Sequence, residues 1–303
     1  MSQITEDTFE QLLQHVENSS KIDLLDASFI DPYGMVGILE IGELLRSKGI
    51  RKTIQLPQSE EVLKYLERMD FFRFAEDYFD LEFSNTPSPP FAKVGNSLTP
   101  TLKKGDIGGF LDHKYLRSSY SDVLLEITPI ESSDDIHFIV GKVKDRAKSI
   151  LTRHLHYDDK AINGFIVAIS EVCQNIIEHS GNKGFVGIQK YHFNSLNKNV
   201  VKIAVMDLGI GFRKSLSERF MLKDDFQAIE KALLHGASRY ADEGRGHGLA
   251  AVRRFVNQWN GKLSIRSGTA RFSIIPEWAR GKEKEANLAN FPGSQVNILL
   301  PEM

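Results

Sequence analysis

Near the middle of the chain, twelve consecutive residues read Ala168-Ile169-Ser170-Glu171-Val172-Cys173-Gln174-Asn175-Ile176-Ile177-Glu178-His179. Apolar residues in and before this stretch recur at alternating spacings of four and three, which predicts a helix with one buried stripe. The helix is expected to begin at Asp158 or Asp159 and to run to about Ser180. The stripe consists of Ile162, Ile166, Ile169, Cys173 and Ile176.

The opposite face of this helix is polar. At about 100° per residue, Glu171, Asn175 and Glu178 cluster there, with His179 next to them. Glu171 and Asn175 are one turn apart and can converge on one small target. A carboxylate beside an amide oxygen suits Mg²⁺, which prefers oxygen ligands and keeps several waters. The alternative is a hydrated helix face with chance acidic residues, and Glu-x-x-x-Asn alone does not separate the two.

A second motif follows a predicted strand at Val201–Met206 and reads Asp-Leu-Gly-Ile-Gly, with Asp207, Gly209 and Gly211 as its fixed positions. It places a carboxylate at the sheet edge, beside backbone that is free to approach a flat ligand. Such a carboxylate accepts a hydrogen bond from an exocyclic amine, which adenine presents. The alternative is a turn whose glycines are needed only for positive φ.

The third motif is glycine-rich and opens a predicted helix that ends at Trp259. Its residues are Gly244, Arg245, Gly246, His247 and Gly248. Backbone N–H groups at the start of a helix form an anion site, and the arginine adds donors suited to phosphate. The histidine either contacts phosphate or caps a lid. The glycine spacing is not that of a dinucleotide fingerprint, and no βαβ unit surrounds it.

In this order and at these spacings, the three motifs resemble the GHKL ATPase superfamily, which includes gyrase, histidine kinases and MutL. Residues 168–179 are similar to the asparagine box of anti-sigma-factor serine kinases, and the resemblance extends from about Ser121 to Pro301. It implies ATP and Mg²⁺ as ligands. It also implies a Bergerat-type α/β sandwich with a mostly antiparallel sheet.

The resemblance also implies a role for each matching residue. Asn175 would coordinate Mg²⁺, Glu171 would be catalytic by polarising the attacking hydroxyl or water, and Asp207 would receive the adenine amino group. Gly209 and Gly211 would shape the base pocket. The three glycines of the third motif would wrap the phosphates under a lid drawn from about Arg213–Gly246. The family's late Gly-Thr stands here as Gly293-Ser294, and His247 replaces a leucine-like residue.

Apolar runs and turn signals predict the other elements of this half. The expected strands are Val123–Ile130, Phe185–Phe193, Val200–Met206, Lys262–Ser267, Ala270–Ile275 and Gln295–Leu300. Further helices are expected near His137–Leu155 and in the stretch before His235, and Asn260-Gly261 is expected to end the last helix.

A Pro- and Ser-rich stretch from Ser84 to Pro100 predicts a connector between two domains. The expected division is residues 1–83, a linker at 84–120, and an ATPase domain at 121–303. Before the connector, strands at Lys21–Leu25 and Thr53–Leu56 alternate with two helices, which predicts a small α/β unit. Those helices span about Gly34–Leu45 and the residues after Ser59, with Gly49 and Ser59 as stop and cap.

The N-terminal unit resembles a STAS domain, the fold of anti-sigma-factor antagonists, over about Lys21–Phe74. In antagonists, a serine that follows the Asp at a helix start accepts phosphate. Here Pro32 occupies that position and Tyr33 follows it. Proline cannot be phosphorylated, and Tyr33 is expected to pack at the helix entry. The domain is therefore interpreted as a docking or sensory module, with a purely supporting role as the alternative.

The composition restricts which other classes of protein the chain could belong to. The chain has 303 residues, 41% hydrophobic and 26% charged, with a net charge of −2 and a pI near 6.5. These values predict a soluble protein with no direct nucleic-acid binding. One cysteine excludes an internal disulfide. No signal sequence or apolar span is apparent, so a cytoplasmic protein that does not cross a membrane is expected.

Three functions are compatible with the motifs. The first is an anti-sigma-type serine/threonine kinase in signal transduction, which transfers the γ-phosphoryl group of ATP to a protein partner. The second is an ATPase or ATP-gated conformational switch. The third is a module that binds ATP without turnover. A regulatory protein partner is expected, and a homodimer is compatible with the sequence.

Overall fold

The computed structural model describes residues 2–83, 122–180, 182–194, 196–237 and 247–302. The chain divides into two compact units, residues 1–121 and 122–303. The predicted linker at 84–120 lies outside the described residues. Within the described residues, no helix combines the length and the apolar character needed to cross a bilayer.

The first unit is built on small parallel sheets. Two strands, β1 and β3, pair with each other, and three more are arranged in the order β2-β4-β5. The strands are β1 (Gln3–Ile4), β2 (Lys21–Asp23), β3 (Phe29–Ile30), β4 (Lys52–Gln55) and β5 (Phe79–Glu82). The helices are α1 (Phe9–Asn18), α2 (Pro32–Ser47), α3 (Glu60–Arg68) and α4 (Phe71–Tyr78). The expected α/β unit is present, with more elements than the sequence pattern indicated.

Two residues fix the position at which α2 begins. The Asp31 carboxylate accepts a hydrogen bond from the Gly34 N–H at 2.8 Å, and Pro32 occupies the first helical position, which its fixed φ favours. Tyr33 is 1% exposed and packs edge-on against Phe9, with ring centroids 5.3 Å apart. The expectation that Tyr33 packs at the helix entry is confirmed. Its burial makes it unsuited to accept phosphate.

The second unit contains one seven-stranded sheet in the order β11-β10-β9-β12-β8-β7-β6. Every pairing in it is antiparallel, which agrees with the predicted sheet. The strands are β6 (Val123–Ile130), β7 (Gly184–Phe193), β8 (Lys198–Asp207), β9 (Lys262–Gly268), β10 (Ala270–Ile274), β11 (Lys284–Glu285) and β12 (Phe291–Pro301). The short β11 was not predicted, because two polar residues carry no strand signal.

Helices of this unit share an apolar core with the sheet. They are α5 (Ser133–Leu155), α6 (Asp159–Asn175), α7 (Gly211–Leu216), α8 (Asp225–His235) and α9 (His247–Gln258), and a π-helical turn, Ile176–Ser180, extends α6. The prediction for α5 began four residues late. The helix starts at Ser133 because the Asp135 carboxylate accepts from the Ser132 N–H at 2.8 Å and caps the first turn.

The end of α9 follows the predicted signal. Asn260 is left-handed, with φ +50°, and the Gly261 N–H donates to the Val256 carbonyl at 2.8 Å. This pattern closes a helix and turns the chain into the next strand. The helix itself ends at Gln258, one residue before the predicted end.

The buried face of α6 is broader than the predicted stripe. Ile166 is only partly buried, which corrects that position, whereas Phe165, Ala168 and Val172 are buried. The helix packs against both α5 and α9, so more than one stripe is covered. Cys173 is fully buried on this face, and burial raises the pKa of its thiol to about 12.

Candidate ATP-binding site

Asp207 ends β8 and is 2% exposed. One carboxylate oxygen accepts from the Gly209 N–H at 2.7 Å, and the other accepts from the Ser294 hydroxyl. Ser294 lies directly opposite Asp207 in the register of β12 and β8. Burial raises the pKa of the Asp207 carboxyl to about 6, even though these hydrogen bonds favour its ionised form. We call Asp207, Gly209 and Ser294 the aspartate end of the site.

Two glycines let the backbone close around this carboxylate. A Cβ at Gly209 would lie 2.3 Å from the Ser180 carbonyl oxygen. Gly293 has φ +77°, and a Cβ there would lie 1.9 Å from the Asp207 carbonyl oxygen. Neither position has room for a side chain, so the glycines are required by close approach of backbone to backbone.

Gly211 begins α7 and is also left-handed, with φ +71°. Above it, the Ser267 hydroxyl donates to the Gly293 carbonyl at 2.6 Å and accepts from the Phe212 N–H at 3.2 Å. Ser267 therefore ties the loop after β8 to the start of β12. Sequence reasoning missed this residue, because a serine near the end of a strand gives no distinctive signal.

A cavity of about 460 Å³ opens beside this loop. Its lining residues come from the loop, from α7 and α8, and from the adjoining strand ends: Gly209, Ile210, Gly211, Arg213, Lys214, Ser217, Asp225, Ser267, Gly268, Asn290, Pro292 and Gly293. Neither Asp207 nor Glu171 lines it. The cavity adjoins the aspartate end and is distinct from the carboxylates of the site.

Glu171 and Asn175 occupy the last turn and a half of α6, and both are half-buried. Burial raises the pKa of the Glu171 carboxyl, and the nearby charge of Glu178 adds to the effect. The Nδ2 atom of Asn175 is buried and has no hydrogen-bond partner within the described part of the chain. A buried amide N–H without an acceptor is costly, and a ligand that brings acceptor atoms would satisfy it. We call Glu171 and Asn175 the glutamate end.

The first turn of α9 faces the glutamate end. A Cβ at Gly248, the second residue of α9, would lie 2.4 Å from Oε2 of Glu171. The carboxylate therefore lies against bare backbone at the positive end of the helix dipole. Helix α9 begins at His247, but the side chain of that residue is not described. Gly244, Arg245 and Gly246 lie outside the described residues.

One helix joins the two ends. The π-helical turn follows Asn175 directly, and its last residue, Ser180, accepts from the Ile210 N–H at 3.0 Å. This bond fixes the loop after Asp207 to the helix that carries Glu171. Turns of this kind are frequent at functional sites.

Among the comparisons with known proteins, the match to a family model agrees with this architecture. Residues 162–301, slightly less than half the chain, match the family model described as "Histidine kinase-, DNA gyrase B-, and HSP90-like ATPase". No curated protein matches. Among solved structures, the chain is similar to the histidine kinase domain of the Erythrobacter litoralis EL346 blue-light activated histidine kinase. That similarity has 15% identity and a TM-score of 0.25, and it covers 55% of this chain and 61% of that one.

The assignment rests on the family model and on the antiparallel sheet. Residues 162–301 form a GHKL-type ATPase domain, a type of domain that binds ATP. All three sequence motifs fall within this range.

Proposed function

We propose that the chain is an ATP-binding regulatory protein that acts as an anti-sigma-type serine/threonine kinase on a protein partner. The observation that carries the proposal is the glutamate end, where a half-buried carboxylate and an unsatisfied amide lie one turn apart beside the start of α9. A base and a site for anionic ligands are thereby combined at one point, which phosphoryl transfer requires.

At the aspartate end, Asp207 would accept the exocyclic amine of adenine. Its carboxylate is already held by Gly209 and Ser294, so it needs no reorganisation when the base arrives. This end would select and orient the nucleotide.

At the glutamate end, Glu171 would take the proton of the attacking hydroxyl. The hydroxyl oxygen forms a bond to the γ-phosphorus, the bond from that phosphorus to the bridging oxygen breaks, and ADP leaves. The raised pKa of Glu171 brings its basicity closer to that needed at neutral pH. The same geometry would serve hydrolysis if water replaced the hydroxyl.

The residues fit Mg²⁺ together with a nucleotide. Asn175 would contribute its amide oxygen as the ligand from the protein, and its buried Nδ2 donor would find an acceptor among the phosphate oxygens of the nucleotide. Mg²⁺ neutralises phosphate charge during phosphoryl transfer. Gly244, Arg245, Gly246, His247 and Gly248 would contribute the phosphate-binding turn.

We further propose that the N-terminal unit is a STAS-like docking or sensory module. The parallel α/β arrangement of residues 2–83 supports this, and the burial of Tyr33 beside Pro32 supports a module that is not itself phosphorylated at this position. A protein acting in the cytoplasm as a homodimer is compatible with this proposal. The linker at 84–120 would separate the module from the kinase domain.

The test uses the full chain, γ-labelled ATP and the proteins that co-purify with it. The expected result is label on a serine or threonine of one partner, lost in Glu171→Gln, with ATP binding lost in Asn175→Ala. Robust hydrolysis without transfer would support the ATPase or switch instead. Nucleotide binding without turnover would identify a binding module, and absence of ATP binding would overturn the proposal.

A further inference from the structure

Helices α6 and α9 pack side by side, and a glycine marks one of their contacts. A Cβ at Gly164 of α6 would lie 2.8 Å from Cδ2 and 2.9 Å from Cε2 of Phe255 on α9. The edge of the phenyl ring therefore lies directly on the α6 backbone. Any larger residue at 164 would push the ring away.

In the contact between Glu171 and Gly248, a side chain again lies against a glycine of the neighbouring helix. Here the glycine is on α9, and a Cβ on it would lie 2.4 Å from the carboxylate of α6. Glu171 follows Gly164 by seven residues, and Gly248 precedes Phe255 by seven. Seven residues make nearly two turns, so both contacts lie on one seam, about 10 Å apart, and the helices are antiparallel.

The phenyl ring is held on its other side as well. Phe255 is 9% exposed and contacts the Trp259 ring at 6.3 Å between centroids, and Trp259 contacts Tyr157 at 5.1 Å. The Tyr157 hydroxyl donates to the Pro301 carbonyl in β12 at 3.0 Å. The ring at 255 is thus anchored to the sheet through two aromatic neighbours and is not free to swing aside.

We propose that Gly164 and Phe255 are positioning residues for Glu171. The contact of the Phe255 ring with Gly164 fixes the position of α6 along the axis of α9. In this position, the Glu171 carboxylate lies against the first turn of α9. The inference rests on the proposed function, since it assigns Glu171 the role of base. It adds two residues that touch neither nucleotide nor acceptor and that no sequence motif includes.

The test compares four variants of the full chain. Gly164→Ala and Phe255→Leu are each expected to lower turnover at saturating ATP at least about tenfold, because small displacements of a catalytic group are costly. Nucleotide affinity should stay within about threefold of wild type, since neither residue belongs to the site. The double variant should recover most of the lost turnover, because a smaller side chain at 255 makes room for the new methyl group.

Gly141→Ala is the matched control. Gly141 lies in α5, and a Cβ there meets nothing within 4 Å, so helix propensity changes in the same way without a change of register. Its turnover should equal wild type. Circular dichroism confirms that each variant is folded, and Phe255→Leu carries the test if Gly164→Ala fails to fold.

Two outcomes overturn the inference while leaving the proposed function intact. One is wild-type turnover in a folded Gly164→Ala or Phe255→Leu variant. The other is a double variant no more active than the worse single variant, which indicates independent structural damage. If wild-type protein itself neither binds nor turns over ATP, it is the proposed function that fails.

Discussion

The aspartate end and the glutamate end of the site are built in opposite ways. Asp207 is 2% exposed, and both of its carboxylate oxygens accept hydrogen bonds from the protein. Glu171 and Asn175 are half-buried, and the Asn175 amide has a buried N–H that no described residue satisfies. The polar groups of the aspartate end have their hydrogen-bond partners without a ligand, whereas the glutamate end has a donor that lacks one.

The difference corresponds to two kinds of task. Recognition of a rigid base benefits from donors and acceptors that are already fixed, because nothing has to be ordered on binding. Phosphoryl transfer benefits from groups whose partners arrive with the substrate, so that their interactions strengthen as the reaction proceeds. The five predictions that follow test this contrast.

The largest effect is expected from Glu171→Gln. Loss of the base should lower turnover by about 10²–10⁴-fold, with nucleotide affinity changed only a few-fold. Steady-state hydrolysis and transfer rates, together with calorimetric affinities, check it. Glu277→Gln, which removes an exposed carboxylate outside the motifs and the expected lid of the same unit, is the control. Unchanged turnover in Glu171→Gln would remove the functional contrast between the two ends.

Asp207→Asn should act on binding instead. A buried, charge-assisted hydrogen bond contributes about 1.5–3 kcal/mol, so ATP affinity should fall about 10- to 100-fold. Affinity for GTP, whose base lacks the same exocyclic amine, should change less. Equilibrium titrations with both nucleotides provide the comparison, and equal losses for ATP and GTP would contradict recognition of adenine by Asp207.

The pKa of Asp207 predicts a pH dependence. With a value of about 6 in the folded chain, the carboxyl is ionised above that pH and protonated below it. ATP affinity should be constant above pH 6 and fall about tenfold per unit below it, if only the ionised form accepts the adenine amine. Titrations from pH 5 to 8 check this, and subtracting the Asp207→Asn profile removes the titration of the phosphates themselves.

The same shift links pH to stability. The folded-state pKa lies above the ordinary value of 3.8, so the folded chain holds this proton more tightly. The stabilisation is fully present below pH 3.8 and is lost as the pH rises through about 6. The difference in unfolding free energy between wild type and Asp207→Asn should therefore decrease over that range.

The smallest effect is expected for the stability of Asn175→Ala in the absence of nucleotide. Removing a buried amide that lacks an acceptor should leave the free energy of unfolding unchanged or raise it, by about 1 kcal/mol at most. Ser294→Ala, which removes a satisfied hydroxyl, should lower it instead. Urea denaturation of both variants measures the difference. A clear loss of stability in Asn175→Ala would mean that this end is already complete.

Sequence patterns predicted the parts of this molecule whose signals are local. Asp207 and its glycines follow a strand, and the spacing of Glu171 and Asn175 places them on one helical turn whatever surrounds the helix. The antiparallel sheet followed from the resemblance carried by the same motifs. The cap at Ser59 and the stop at Asn260 were found because capping residues act over a few positions only.

Features that depend on contacts between distant segments were not predictable. Ile166 has the right spacing for burial but is only partly buried, because α6 packs against two helices and its covered face is displaced. Ser267, in β9, accepts a hydrogen bond from Phe212, which precedes it by 55 residues in the sequence. Gly164 resembles any other glycine inside a helix until the ring of Phe255 is placed against it.

The position of Cys173 has a practical consequence. It is the only cysteine of the chain, it is fully buried beneath the polar face of α6, and its raised thiol pKa keeps it protonated at neutral pH. A thiol-reactive fluorophore should therefore not label the native protein. A single cysteine introduced at an exposed position would be the sole point of attachment, so optical reporters can be placed on the native background without first removing Cys173.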